Sequence, residues 1–114
     1  MLFKASRTSS AAHVGLLTGT TIQSLMIVMI AQPHTSSGIH HHGSQDTIVY
    51  GVRGTGAIIT DGGKTKQMVG PGDWALIPAG KEHQEANEGD EEVAWVIVRG
   101  GSTAEVGNVN EWTR

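Results

Sequence analysis

Three of the six histidines in this 114-residue chain are adjacent, in the stretch Gly38-Ile39-His40-His41-His42-Gly43-Ser44-Gln45-Asp46-Thr47. Another, His83, ends the stretch Gly72-Asp73-Trp74-Ala75-Leu76-Ile77-Pro78-Ala79-Gly80-Lys81-Glu82-His83. Three internal histidines are too few, and too far from either end, for a purification tag. Alone they suit a polar surface loop, but their spacing allows more. On an extended chain, residues i and i+2 face the same way. His40 and His42 can then address one centre while His41 points away. Pairing of the two segments brings His83 alongside. Three imidazoles with positions left open describe a catalytic rather than a structural metal site. Nitrogen-rich ligation calls for one divalent transition metal, Fe, Ni, Zn, Cu or Mn, with Mn least suited unless a carboxylate joins.

Those segments need rigid elements to hold them, and the chain offers strands. Ile22–Ala31 is apolar and β-branched until Pro33 stops it. Thr47–Val52, Ala57–Thr60, Thr65–Val69, Trp74–Ile77, Glu82–Asn87 and Val93–Val98 follow. Asp61-Gly62-Gly63-Lys64 reads as a tight hairpin turn. Gly70-Pro71-Gly72-Asp73 and the acidic run Glu88–Glu92 are further turns. Strands at this spacing without helical periodicity give an all-β sandwich or barrel. The expectation is one domain over 1–114, with a core at about 20–99, an arm at 1–19 and a tail at 100–114. Tyr50 and Trp95 are expected to fill the barrel, and Trp74 to line its cavity or core.

Composition excludes several classes. The chain has no cysteine, so thiolate sites and disulfides are absent. Its net charge of −3 gives no footprint for nucleic acid or an anionic membrane. The best apolar run, Ser24–Ala31, is too short to span a bilayer. No leader pattern is read at the N-terminus, which makes the expected location cytoplasmic. The acidic run lacks the spaced ligands of a calcium loop. The glycines at 51, 54 and 56 precede no helix, so they are no nucleotide fingerprint.

The two histidine segments resemble the two motifs of the cupins, small barrels of jelly-roll type. The second motif has the form G-x5-P-x-G-x2-H-x3-N, and Gly72, Pro78, Gly80, His83 and Asn87 match every fixed position. The first has the form G-x5-H-x-H-x3or4-E-x6-G. His40, His42 and Gly54 fit it, whereas His34 stands at its first glycine. The resemblance covers about Gln32 to Val98 and implies a cupin-type double-stranded β-helix (jelly-roll) barrel. It does not fix a reaction, since one fold hosts many.

Counting back seven from Gly54 places the family's glutamate slot at Thr47, so the acid is missing there. Gln45 shares parity with Thr47 and ranks first as a fourth ligand, level with water. Asp46 ranks second, if a bulge turns it inward. Thr47 ranks last. The available general bases are His41, Asp46 and Glu85, of which His41 and Asp46 are kept as catalytic candidates. The expected function is metal-dependent chemistry on a small chelating substrate, of the dioxygenase or enolate type. Isomerase, decarboxylase, dehydratase or lyase chemistry is the alternative, and a non-catalytic metal or ligand-binding module is another. A homodimer is expected because the apolar strand Ile22–Ala31 needs cover on its second face. The segment before His40 or the tail around Trp112 would cross between subunits. Otherwise Phe3–Gly19 folds back over that strand.

Overall fold

The structure is a computed structural model that describes residues 24–101 and 105–113. The arm at 1–19, the start of the first strand at Ile22 and the fold-back of Phe3–Gly19 lie outside the described residues. Ten strands alternate with turns: β1 (Ser24–Ala31), β2 (Thr35–Ser36), β3 (His40–His41), β4 (Thr47–Arg53), β5 (Gly56–Thr60), β6 (Thr65–Val69), β7 (Trp74–Ile77), β8 (Gln84–Asn87), β9 (Val93–Gly100) and β10 (Gly107–Asn108). The first four-stranded sheet has the order β1-β9-β4-β7, the second β2-β8-β5-β6, and a short ribbon pairs β10 with β3. Every pairing is antiparallel. This is the all-β jelly roll that the motifs implied.

Alternation along the strands decides what lies inside. On β1 the inward series is Leu25, Ile27, Met29 and Ala31. Val49 on β4, Ala75 and Ile77 on β7, and Trp95 and Ile97 on β9 join it. Truncating one of these large side chains to Ala would cost about 2–5 kcal/mol. Gly56 makes room for the Trp95 ring, because a Cβ there would lie 2.6 Å from it.

Two of the three aromatic expectations fail on the same parity. Trp95 is fully buried as expected, but Tyr50 and Trp74 are exposed. The inward positions of β4 and β7 belong to Thr47, Val49, Ala75 and Ile77, so Tyr50 and Trp74 point outward. They stand in an apolar outer face. One row across the first sheet reads Met26, Val98, Ile48, Leu76, and the next reads Val28, Val96, Tyr50, Trp74.

The motif glycines and Asn87 hold turns. Gly54 has a φ of +69°, and a Cβ there would lie 2.4 Å from the Glu92 carbonyl oxygen. His34, at the motif's glycine position, keeps the left-handed conformation with a φ of +58°, which His tolerates better than most residues. Its ring meets Asp90 at 2.8 Å. The Asn87 amide donates to the carbonyls of Ala31 and Glu91, tying β8 to the end of β1 and the acidic turn.

Candidate metal centre

The backbone brings the two histidine segments together first. The His40 N–H donates to the His83 carbonyl at 3.0 Å, and the His83 N–H donates back to the His40 carbonyl at 2.8 Å. His42 follows at i+2 from His40, and the three ring centroids lie 4.4–5.1 Å apart. All three histidines are 2% exposed or less.

Each ring is oriented by a carbonyl. The Nδ1 of His40 lies 2.9 Å from the Gly38 oxygen, that of His83 2.9 Å from the Lys81 oxygen, and that of His42 3.2 Å from the Glu105 oxygen. A carbonyl only accepts, so each Nδ1 carries the hydrogen. Each Nε2 is then turned toward the common centre, the arrangement that outer partners impose on metal-binding imidazoles. Burial, foremost, and then the positive charges of Arg99, His83 and His40 lower the His42 pKa to about 3, against the opposing pull of Glu85. His42 is therefore neutral near pH 7, the form that can donate a lone pair to a cation.

The acid comes from an unexpected strand. Glu85 sits on β8 two residues after His83, on the same face, and is fully buried. Its Oε2 lies 2.7 Å from His83 Nε2, and its Oε1 lies 3.3 Å from His40 Nε2 without hydrogen-bond alignment. Burial opposes ionisation of Glu85, but the adjacent His40 and His83 rings outweigh it and hold the carboxyl below the usual range. The sequence carried the signal: the i, i+2 rule that unites His40 with His42 also unites His83 with Glu85.

His40, His42, His83 and Glu85 form a group whose ligand atoms all lie within 4.8 Å of one another, and it can hold a metal ion. Tetrahedral coordination with bonds of about 2.1 Å needs donor separations of about 3.4 Å, so small side-chain movements close the site. His40 Nε2, His42 Nε2 and Glu85 Oε1 are buried without hydrogen-bond partners. Unsatisfied buried polar atoms cost about 1–3 kcal/mol each, and one cation would satisfy all three. The donor set fits a divalent transition metal.

The other sequence candidates fall elsewhere. Gln45 is buried, and its amide oxygen accepts the Glu105 N–H, which fastens the C-terminal segment over the site. Asp46 is exposed and caps the Ala79 N–H at 2.8 Å. The bulge that would turn it inward is not at that end of β4, where Thr47 pairs regularly with Ile77 and Arg99; the register shifts between Gly51 and Arg53 instead. His41 lies outside the donor group, with its ring against Gly107 and its Nδ1 accepting the Gly43 N–H. Thr47 does face the interior, where its hydroxyl has no hydrogen-bond partner. Beside it stands Arg99, which sequence reasoning overlooked, 2% exposed. The open cleft of ≈ 860 Å³ lies elsewhere: Asp61, Lys81 and Trp112 line it, and no member of the histidine group does.

Comparison with known proteins agrees with this fold. No curated protein matches the chain. An uncharacterized conserved protein with a double-stranded β-helix domain from Klebsiella pneumoniae is 19% identical, with a TM-score of 0.68 over 96% of this chain and 92% of that one. A sugar phosphate isomerase of the cupin superfamily from Silicibacter pomeroyi is 26% identical, with a TM-score of 0.66 over 81% of this chain and 60% of that one. An oxalate oxidase in complex with the substrate analogue glycolate is 22% identical, with a TM-score of 0.69 over 76% of this chain and 46% of that one. The family model for the cupin domain matches residues 27–99. With its two four-stranded sheets and its buried histidine group, the chain belongs to the cupin domain family.

Proposed function

We propose that the protein is a metal-dependent enzyme acting on a small, oxygen-bearing chelating substrate, with oxygenase or enolate chemistry as the leading reading. The observation that carries it is the convergence of three buried imidazoles and one buried carboxylate, each imidazole oriented by a backbone carbonyl. A bound divalent metal would act as a Lewis acid and, if redox-active, as a route for electrons to dioxygen. The chain's own residues do the rest. Trp95, Met29 and Ile97, fully buried in the hydrophobic core, keep water out of the apolar part of the barrel. Glu85 and His83, 2.7 Å apart through Oε2 and Nε2, would hold the ion together and set one carboxylate charge against it.

Non-oxidative isomerase, decarboxylase or lyase chemistry is the second reading, and the sugar phosphate isomerase at 26% identity favours it. Metal content decides the first point. Purified protein should carry about one transition metal per chain, and His40→Ala, His42→Ala and His83→Ala should each lose it. His41→Ala should keep it. Equal metal content in all five proteins would place the site elsewhere. Oxygen uptake on small phenols, diketones and hydroxy acids then separates the two chemistries.

The proposed assembly is a homodimer through the outer face of the first sheet. Within one chain, Thr35–Ser36 pairs with β8 and Gly107–Asn108 with β3, so the apolar sheet face is the surface that supports the reading. The rows Met26, Val98, Ile48, Leu76 and Val28, Val96, Tyr50, Trp74 carry no charge. A face without charge meets its own copy without repulsion, although the whole chain carries −3. No helix among the described residues is long and apolar enough to cross a membrane.

A further inference from the structure

Arg99 is the charged side chain in the interior that the metal site does not use. Its position on β9 continues the inward series Val93, Trp95, Ile97, Arg99, so the strand passes from an apolar wall to a guanidinium. Arg99 is 2% exposed, its Nε has no hydrogen-bond partner, and no ion pair joins it to a carboxylate among the described residues. Its charge reaches both His42 and Glu85. Thr47, its partner across the β4–β9 ladder, presents a buried hydroxyl that is also without a partner. A buried guanidinium whose Nε–H meets no acceptor is expensive to keep. Two adjacent, inward-facing donors lacking acceptors describe a site for an anion.

We propose that Arg99, assisted by Thr47, binds the carboxylate of the substrate, a small organic acid whose second oxygen reaches the histidine–glutamate group. This rests on the metal-site reading for the second oxygen but not for the carboxylate. Charge supports it. Arg99 and Glu85 offset each other, so a divalent cation leaves the chamber with two uncompensated positive charges, which an anionic substrate reduces. A guanidinium matches a carboxylate in a two-pronged geometry. Lys64, Lys66 and Lys81 lie outside the buried interior. One guanidinium and one hydroxyl supply the few donors that a two-oxygen carboxylate accepts, fewer than a phosphate group calls for.

The test uses glycolate, its neutral amide and inorganic phosphate, titrated calorimetrically into metal-free and zinc-loaded protein. Glycolate should bind both forms and raise their unfolding temperature, while the amide should bind at least about tenfold more weakly. Arg99→Gln should weaken glycolate by about a hundredfold, and Thr47→Val by about tenfold, with zinc content unchanged. Arg99→Lys should keep part of the preference for acid over amide, whereas Arg99→Gln should abolish it. A merely structural arginine would not move that ratio. Wild-type protein alone keeps the proposal testable if the variants misfold: equal binding of glycolate and its amide overturns it. Zinc bound, but glycolate affinity unchanged in Arg99→Gln, overturns it and spares the metal site. No zinc bound, but Arg99-dependent glycolate binding, spares it and overturns the metal reading. Phosphate binding tighter than glycolate overturns the assignment to a carboxylate.

Discussion

Replacing Glu85 with Gln separates its two roles, because the amide keeps the shape and an oxygen but loses the charge. In metal-free protein the effect should be small. The favourable pull of His40 and His83 on the carboxylate is offset in part by the cost of burying it, the amide brings no charge to desolvate, and its N–H can donate to the His83 Nε2 lone pair, 2.7 Å from the present Oε2. The unfolding midpoint should stay within about 4 °C, equivalent to roughly 1 kcal/mol for a domain of this size. The loaded protein should respond differently. Groups that only orient a metal ligand change affinity by about 10–100-fold. Glu85 lies inside the donor group itself, so its loss should reach at least about a hundredfold. At saturating metal, that removes about 2.7 kcal/mol of linked stabilisation, or roughly 10 °C. Thermal unfolding of both proteins with chelator and with zinc, paired with metal analysis after gel filtration, reads both effects. An equal zinc-induced rise in wild type and Glu85→Gln would refute Glu85 as a donor.

Thr47→Glu puts a carboxylate at the family's usual slot, on an inward-facing position. It should tighten zinc by about tenfold or more and lower turnover by filling a position left for substrate; unchanged zinc affinity would mean that position 47 does not reach the centre. Light scattering after size exclusion should give a two-chain mass for wild type and a one-chain mass for Leu76→Lys, which sets a charge into the apolar face. A one-chain mass for wild type at micromolar concentration rejects the dimer. The Glu82 carboxylate accepts the Thr113 hydroxyl and N–H, which hold it below its ordinary value of 4.5. A depressed folded value means that this anchoring is present above about pH 4.5 and is lost as pH falls through the folded value. Trp112 emission should therefore shift in acid, and Glu82→Gln should remove that dependence.

The positions of the longer strands and the histidine convergence were legible because both depend on local rules. Turn residues such as Asp61-Gly62-Gly63 need positive φ, and the structure gives Asp61, Gly62 and Gly63 φ values of 55°, 69° and 89°. Alternation placed His40 and His42 on one face and His41 off it. The same alternation contains Glu85, but the first motif's acid slot falls at Thr47, on the other segment. A ligand set is a property of space. It closes here because β8 follows directly from His83, which the backbone has already locked to His40.

Arg99 was illegible for a different reason. Near the end of an apolar strand, an arginine reads as a side chain emerging into water. Whether it emerges depends on register, and the register here is set from three strands at once: Arg99 stands opposite Leu25 on one side and Thr47 on the other. Trp95 and Ile97 face inward on the same strand, and a one-residue slip to free Arg99 would turn both of them out. Their burial, worth about 1.5–3 kcal/mol for a side chain such as Ile97, therefore helps to hold the guanidinium inside. The apolar wall and the charged end of the chamber are one register choice, which couples the stability of the barrel to the chemistry at its polar end.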